Sequence, residues 1–289
     1  MICKGIITAI ITPFKKGEID YSSLRKLIRF QLESGVDGIV VAGTTGESPT
    51  LSLEEKEEVF KFIKSEVAGE VSVIMGTGSN STKETVSATK KAEKWGADAA
   101  LVVVPYYNKP PQEGLYQHFE KVAENTRLPI ILYNVPGRTV TSLSVETIIR
   151  LSEISNVVGI KEATGDIKMT EDILKRATKD FYVLSGDDAT YLDLYDVGAE
   201  GVISVLSNIL PKETKNWAKN HGKKKVLEEF EDYKKFVNAL FAEVNPIPIK
   251  MALYWRGLIA SPELRLPLVE LSENSQALLK KEMKRLEIL

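Results

Sequence analysis

Eight short runs rich in valine and isoleucine recur along the chain, and segments of helical spacing separate them. The runs are IITAII from Ile6, DGIVVAG from Asp37, VSVIM from Val71, AALVVV from Ala99, PIILY from Pro129, VVGI from Val157, FYVLS from Phe181 and GVISV from Gly201. Between them lie SSLRKLIRFQLES, SLEEKEEVFKFIKSEV, TKETVSATKKAEKW, QEGLYQHFEKVAEN, SVETIIRLSEI, MTEDILKRAT and a weaker TYLDLYDV. Apolar periods of this kind predict alternating strands and helices. A strand apolar on both faces needs cover on both, and parallel neighbours must be joined by crossovers, so the pattern predicts an α/β fold with parallel strands. Eight units predict a closed (β/α)8 TIM barrel. The rival, an open doubly wound sheet, usually has fewer units and often carries a glycine-rich nucleotide fingerprint, which is not evident here.

After LPKETKNWAKNHG, which supplies the eighth barrel helix, the pattern becomes wholly helical in KKKVLEEFEDYKKFVNALFAEV, IPIKMALYWRGLI and SENSQALLKKEMKRLEI. The expected division is therefore a catalytic barrel over 1–222 and a C-terminal helical extension over 223–289. Pro246 and Pro248 in NPIPIK should separate the first helix of the extension from the second.

Composition narrows the function. With 38 basic and 40 acidic side chains, the formal net charge is -2, so there is no electrostatic reason to expect nucleic acid or an anionic membrane as partner. The single cysteine, Cys3, excludes a disulfide framework, and the two histidines, His118 and His221, are far apart in sequence, which disfavours a histidine metal site or a serine–histidine hydrolase. No run is long enough for a signal sequence or a membrane span, and a cytoplasmic protein is expected.

In a barrel of this kind the active site lies where the strands end at their C-terminal mouth. The second strand runs into GTTGES, with Thr44 and Thr45, and the fourth into PYYNKP, with Tyr106 and Tyr107. The fifth ends on Tyr133 and continues NVPGRT, the sixth ends on Lys161 followed by Glu162, and the seventh leads into SGDD. Adjacent strands are ~4.8 Å apart, so Tyr133 and Lys161 can project into one mouth. A lysine attacks a carbonyl as the free amine, and apolar walls are what disfavour the ammonium. The Schiff base so formed draws electrons from the neighbouring carbon and permits an enamine, with Tyr133 as proton shuttle. The planar fork of Arg138 suits a substrate carboxylate.

Plainer alternatives exist for each residue. Lys161 can be solvated or paired with Glu162, Tyr133 can be a core ring, and Arg138, in a Pro-Gly turn, can be a surface charge. GTTGES lacks the lysine of a phosphate-binding loop and GTGSNST lacks the last glycine of the dinucleotide fingerprint. The acidic pair Asp187–Asp188 reads as helix caps in preference to metal ligands, and no metal or cofactor is expected.

The ordered set AIITPF, GTTGES, PYYNKP, YNVPGRT, GIKEA, LSGDD, GVISVLSN, NPIPIK and LRLPL resembles the dihydrodipicolinate synthase family, within the pyruvate-dependent class I aldolases that also include N-acetylneuraminate lyase. The resemblance spans nearly the whole chain. It implies a lyase of lysine and diaminopimelate biosynthesis in which Lys161 forms a Schiff base with pyruvate and Thr44, Tyr133 and Tyr107 form a proton relay. In that family the tyrosine matching Tyr107 comes from a neighbouring subunit, which implies a homo-oligomer, commonly a tetramer built as a dimer of dimers. Thr45 would meet the pyruvate carboxylate, Arg138 the carboxylate of the second substrate, aspartate 4-semialdehyde, and Gly186 and Ile203 the pyruvate end.

Some members are inhibited by lysine at the dimer interface, and Ser48, Asn80, Glu84 and Tyr106 match part of that site. Leu53 and Lys56 stand where strongly regulated members place histidines, and Lys56 adds a positive charge where a cationic effector would bind, so inhibition by lysine is not expected. Two other functions fit the same scaffold. One is a Schiff-base aldolase acting on a sialic acid or a 2-keto-3-deoxy sugar acid, which would need many hydroxyl partners where Arg138 offers a carboxylate clamp. The other is a keto-acid-binding protein without turnover, against which the joint presence of Thr44, Tyr107, Tyr133, Arg138 and Lys161 argues.

Overall fold

A computed structural model describes residues 3–289. The apolar runs become eight parallel barrel strands, and a small antiparallel hairpin, β2 (Phe14–Lys15) with β3 (Glu18–Ile19), follows the first of them, β1 (Gly5–Ala9). The others are β4 (Gly38–Val41), β5 (Ser72–Gly76), β6 (Ala99–Val103), β7 (Ile130–Asn134), β8 (Val157–Glu162), β9 (Tyr182–Ser185) and β10 (Gly201–Ser204). Each pairs with its sequence neighbour, and β1 pairs with both β4 and β10, which closes the (β/α)8 barrel.

Side-chain alternation divides the apolar strand residues into two layers. Ile7, Val40, Ile74, Leu101, Ile131, Tyr133, Leu184 and Ile203 belong to one cluster inside the barrel. Their neighbours Ile6, Ile39, Val41, Val73, Leu132, Ile160, Val183 and Val202 pack outward beneath the helices. This two-sided burial is what the unbroken apolar runs encode.

The covering helices begin at polar caps written in the sequence. α1 (Tyr21–Glu33) starts from Asp20, whose carboxylate accepts from the Ser22 and Ser23 amides, and α2 (Leu53–Val67) from a capping box between Ser52 and Glu55. α3 (Thr82–Trp95) begins at Ser81 and stops at Gly96, whose φ of 88° lies in the left-handed region that a glycine enters without Cβ strain. α4 (Gln112–Ala123), the single turn α5 (Pro136–Thr139), α6 (Val145–Ser152), α7 (Ile167–Arg176), α8 (Tyr191–Asp196) and α9 (Pro211–Lys219) complete the barrel's helical layer.

Three more helices follow: α10 (Lys224–Leu240), α11 (Ile247–Trp255) and α12 (Glu273–Arg285). The ring of Phe230 on α10 packs edge-on at 5.2 Å from Tyr191 and 5.3 Å from Trp217, which seats this segment against α8 and α9. No helix among the described residues is long and apolar enough to cross a membrane.

Candidate active site

Lys161 lies opposite Tyr133 in the β7–β8 register and opposite Leu184 in the β8–β9 register. Tyr133 and Leu184 both point into the barrel, so Lys161 does too. The lysine is 6% exposed, and its Nζ stands 4.2 Å from the centroid of the Tyr133 ring. Glu162, one residue on, faces the opposite side, where it accepts from the Asn134 side-chain amide at 2.9 Å and from the Thr164 backbone at 2.7 Å. Burial holds the Glu162 carboxyl above its usual range, and its hydrogen bonds go to Asn134 and Thr164, away from Lys161. Both strands extend one residue beyond the ends expected from the sequence, and Asn134 and Glu162 are register partners there, joined by that side-chain hydrogen bond.

A cavity of about 190 Å³ surrounds the Lys161 side chain. Thr44, Thr45, Tyr133, Arg138, Gly186 and Ile203 all line it, so the mouth gathers every expected pyruvate and second-substrate contact. Gly186 creates room: a Cβ there would lie 2.9 Å from Lys161 Cε and 2.6 Å from the Ala163 methyl, closer than real side chains approach. Arg138, expected in a turn, sits instead on the four-residue α5 and is exposed at the rim.

Among the lining residues not anticipated, one makes hydrogen bonds to two of the expected ones. Asn245, between α10 and α11, donates from its side-chain amide to Thr45 Oγ1 at 3.0 Å, and its carbonyl accepts from the Arg138 guanidinium at 3.3 Å. The sequence marked NPIPIK by its prolines and as part of the family resemblance, but nothing local says that its asparagine reaches a threonine 200 residues away. Two further residues were missed. Glu47 of GTTGES and Lys250 of α11 form an ion pair with side chains 1% and 0% exposed. Burial brings the Lys250 ammonium down to about 8 while Glu47 pulls the other way.

Tyr107 lines neither this cavity nor the larger one beside it. Its ring is 87% exposed and its φ is 74°, in a three-residue turn closed by Asn108 N donating to Tyr106 O at 2.9 Å. The second cavity, about 830 Å³, opens from the same rim at Thr44, Tyr133 and Arg138 and runs along α2 and α3. Ser48, Glu84 and Tyr106 line it together with Leu53 and Lys56, whereas Asn80 does not and instead accepts at its carbonyl from the Asn108 side chain.

The acidic pair needs a correction. Asp188 does not cap the helix that follows it: α8 begins at Tyr191 after Thr190, with no side-chain cap, and the buried Asp188 carboxylate accepts from the Val205 and Leu206 amides at 2.8 and 2.9 Å. It therefore ties the end of β9 to the turn after β10. Asp187 accepts from the Thr190 hydroxyl at 2.7 Å and lines the Lys161 cavity. Among the described residues, no group of three or more His, Cys, Asp or Glu side chains is arranged to hold a metal ion.

The arrangement is a buried primary amine beside a phenol, with two hydroxyls and a guanidinium lining the same cavity, and a primary amine is the group that forms a Schiff base with a carbonyl. Comparison with known proteins agrees. The chain is 52% identical over 289 residues, 99% of each chain, to the 4-hydroxy-tetrahydrodipicolinate synthase of Bdellovibrio bacteriovorus. It is 50% identical over 277 residues to that of Bacillus subtilis, covering 94% of this chain and 95% of the relative. Among solved structures, the chloride-inhibited dihydrodipicolinate synthase from Acinetobacter baumannii complexed with pyruvate superposes with a TM-score of 0.96 at 45% identity, covering 100% of both chains. The enzyme from Aquifex aeolicus superposes with a TM-score of 0.95 at 45% identity, covering 99% of this chain and 98% of the other. The model of the Dihydrodipicolinate synthetase family matches residues 2–286, and with its barrel closed around an inward-facing lysine the chain belongs to that family.

Proposed function

We infer that the chain condenses pyruvate with L-aspartate 4-semialdehyde to give 4-hydroxy-tetrahydrodipicolinate, a lyase reaction of lysine and diaminopimelate biosynthesis. The observation that carries this reading is the inward placement of Lys161 beside Tyr133, in a chain about half identical to synthases along nearly its whole length.

The Lys161 amine adds to the pyruvate carbonyl, and water leaves to give the imine. Loss of a methyl proton gives the enamine, whose carbon attacks the aldehyde of the second substrate and forms the new carbon–carbon bond. The resulting alkoxide takes up a proton. The amine of the second substrate then attacks the imine carbon and expels Lys161 as the free amine, closing the ring. Water is the only by-product.

Tyr133 and Thr44 carry protons in these steps, with Tyr107 of a neighbouring subunit as the third member of the relay. Its exposed ring supports that role, because it is free to enter another chain's site. Thr45, Gly186 and Ile203 receive the pyruvate end, and Arg138 binds the second substrate's carboxylate. The active assembly is a homotetramer, a dimer of dimers, in the cytoplasm. The barrel over 1–222 carries the chemistry, and the extension over 223–289 completes the mouth through Asn245.

The test is a side-by-side assay of the purified protein with pyruvate plus aspartate semialdehyde, with sialic acid, and with 2-keto-3-deoxy sugar acids. Turnover of the semialdehyde alone is expected; turnover confined to the sugars would reject the reading.

A further inference from the structure

Two costly features stand directly after the rim threonines. Glu47 adopts φ 54° and ψ 38°, a left-handed conformation that disfavours any residue with a Cβ. Its carboxylate and the Lys250 ammonium are fully withdrawn from water, and a buried pair of this kind is a poor source of stability compared with apolar side chains of the same volume. A costly conformation and a costly pair at one position beside a reacting group point to placement of that group.

The contacts make the connection. Glu47 N donates to Thr44 O at 3.1 Å, closing the turn that holds both threonines, and the Thr12 hydroxyl donates to Gly46 O at 2.8 Å. The other Glu47 carboxylate oxygen accepts from Arg265 N at 3.1 Å. Lys250 is itself fixed, since it donates to Glu263 O at 2.8 Å and its Nζ stands 4.1 Å from the centroid of the Phe14 ring. Asn245, in the same segment as Lys250, holds the Thr45 hydroxyl. Residues 245–250 therefore grip the threonine turn at two points, one polar and one ionic.

We propose that the Lys250–Glu47 pair is a positioning device that sets the Thr44 hydroxyl for proton transfer. The pair does not touch substrate and acts only through the turn. The proposal rests on the reading of Thr44 as a relay residue.

Two measurements separate placement from folding and from binding. Borohydride trapping with pyruvate reports the imine at Lys161, and uptake of deuterium from D2O into the pyruvate methyl group reports the proton transfer that makes the enamine. Both are made on the native oligomer for Lys250→Met, for Glu47→Gln/Lys250→Met and for Thr44→Val, with circular dichroism and elution volume as folding controls. The single variant strands a buried carboxylate and is open to misfolding; the double variant keeps the volume and removes both charges.

The folded double variant is expected to trap pyruvate as fully as wild type while its deuterium uptake slows on the order of a hundredfold, the loss that follows a misplacement of about 1 Å. Uptake at the wild-type rate overturns the proposal. So does trapping lost in step with uptake, because the pair would then support the whole pocket, and so does failure of both variants to fold, because the pair would then be a folding determinant. Thr44→Val with unchanged uptake removes the relay reading itself, an outcome distinct from the others.

Discussion

Tyr133 and Lys161 are register partners on neighbouring parallel strands, and the amino nitrogen of one stands 4.2 Å from the ring centroid of the other. One rung of the barrel thus carries both a buried primary amine and a phenol. Lys161→Ala should fold and yield no reduction-stable adduct with pyruvate. Tyr133→Phe should still be trapped, with kcat lowered by ~10²–10⁴-fold, the usual worth of a positioned proton donor. Mass spectrometry of the reduced protein and steady-state kinetics check the two, and an adduct on Lys161→Ala would place the nucleophile elsewhere.

Gly186 is required by space, since a methyl group there would stand 2.9 Å from Lys161 Cε. Gly186→Ala should slow imine formation on the order of a hundredfold by displacing the lysine chain. Stopped-flow trapping measures it; an unchanged rate would mean that the lysine shifts without consequence.

Arg138 donates to the Asn245 carbonyl and presents its planar fork at the rim. Arg138→Lys keeps the charge and loses the two-pronged geometry, so KM for aspartate semialdehyde should rise about ten- to a hundredfold, the range for a hydrogen bond to a charged group. KM for pyruvate should move far less. Equal effects on both substrates would remove the proposed role.

Lys56 lines the larger cavity with Ser48, Glu84 and Tyr106, and its ammonium adds positive charge to that wall. A second cation would meet repulsion there. Millimolar lysine should leave the rate unchanged, and a clear fall in initial velocity would contradict this.

His118 is buried between helices, with Nδ1 on the Thr82 hydroxyl at 2.9 Å, and burial takes it from 6.5 down to about 4. A group whose folded pKa is depressed contributes stability that is complete above its unfolded value and lost as pH falls through its folded one. Between pH 6.5 and about 4 the wild type should therefore lose about 3 kcal/mol more than His118→Gln. Urea unfolding of both proteins across that window measures the difference; parallel curves would refute it.

How far the sequence reached differs from residue to residue. The barrel was legible because each apolar run is short, β-branched and buried on both faces, and because caps such as Ser52 and Asp20 mark where helices start. The direction of Lys161 follows from a period of two once Tyr133 and Leu184 are known to face inward. Arg138 was recognised, but its place on a helical turn was not, since PGRT has the composition of a loop. Asp188 was misread because its proximity to α8 in sequence suggested capping, whereas its partners are amides on the far side of β10.

Local sequence determined the alternation of strand and helix, the number of barrel strands and the side of the sheet on which their residues fall, since all of these depend on steric and hydrophobic periods a few residues long. Tertiary structure alone decided that Asn245 meets Thr45 and that Lys250 meets Glu47, and that Gly186 leaves Lys161 its volume. Those contacts join segments that closure of the barrel and docking of the last helices bring together. A buried charge or amide finds its partner only when the surrounding surfaces have excluded water, and no local pattern records where that happens.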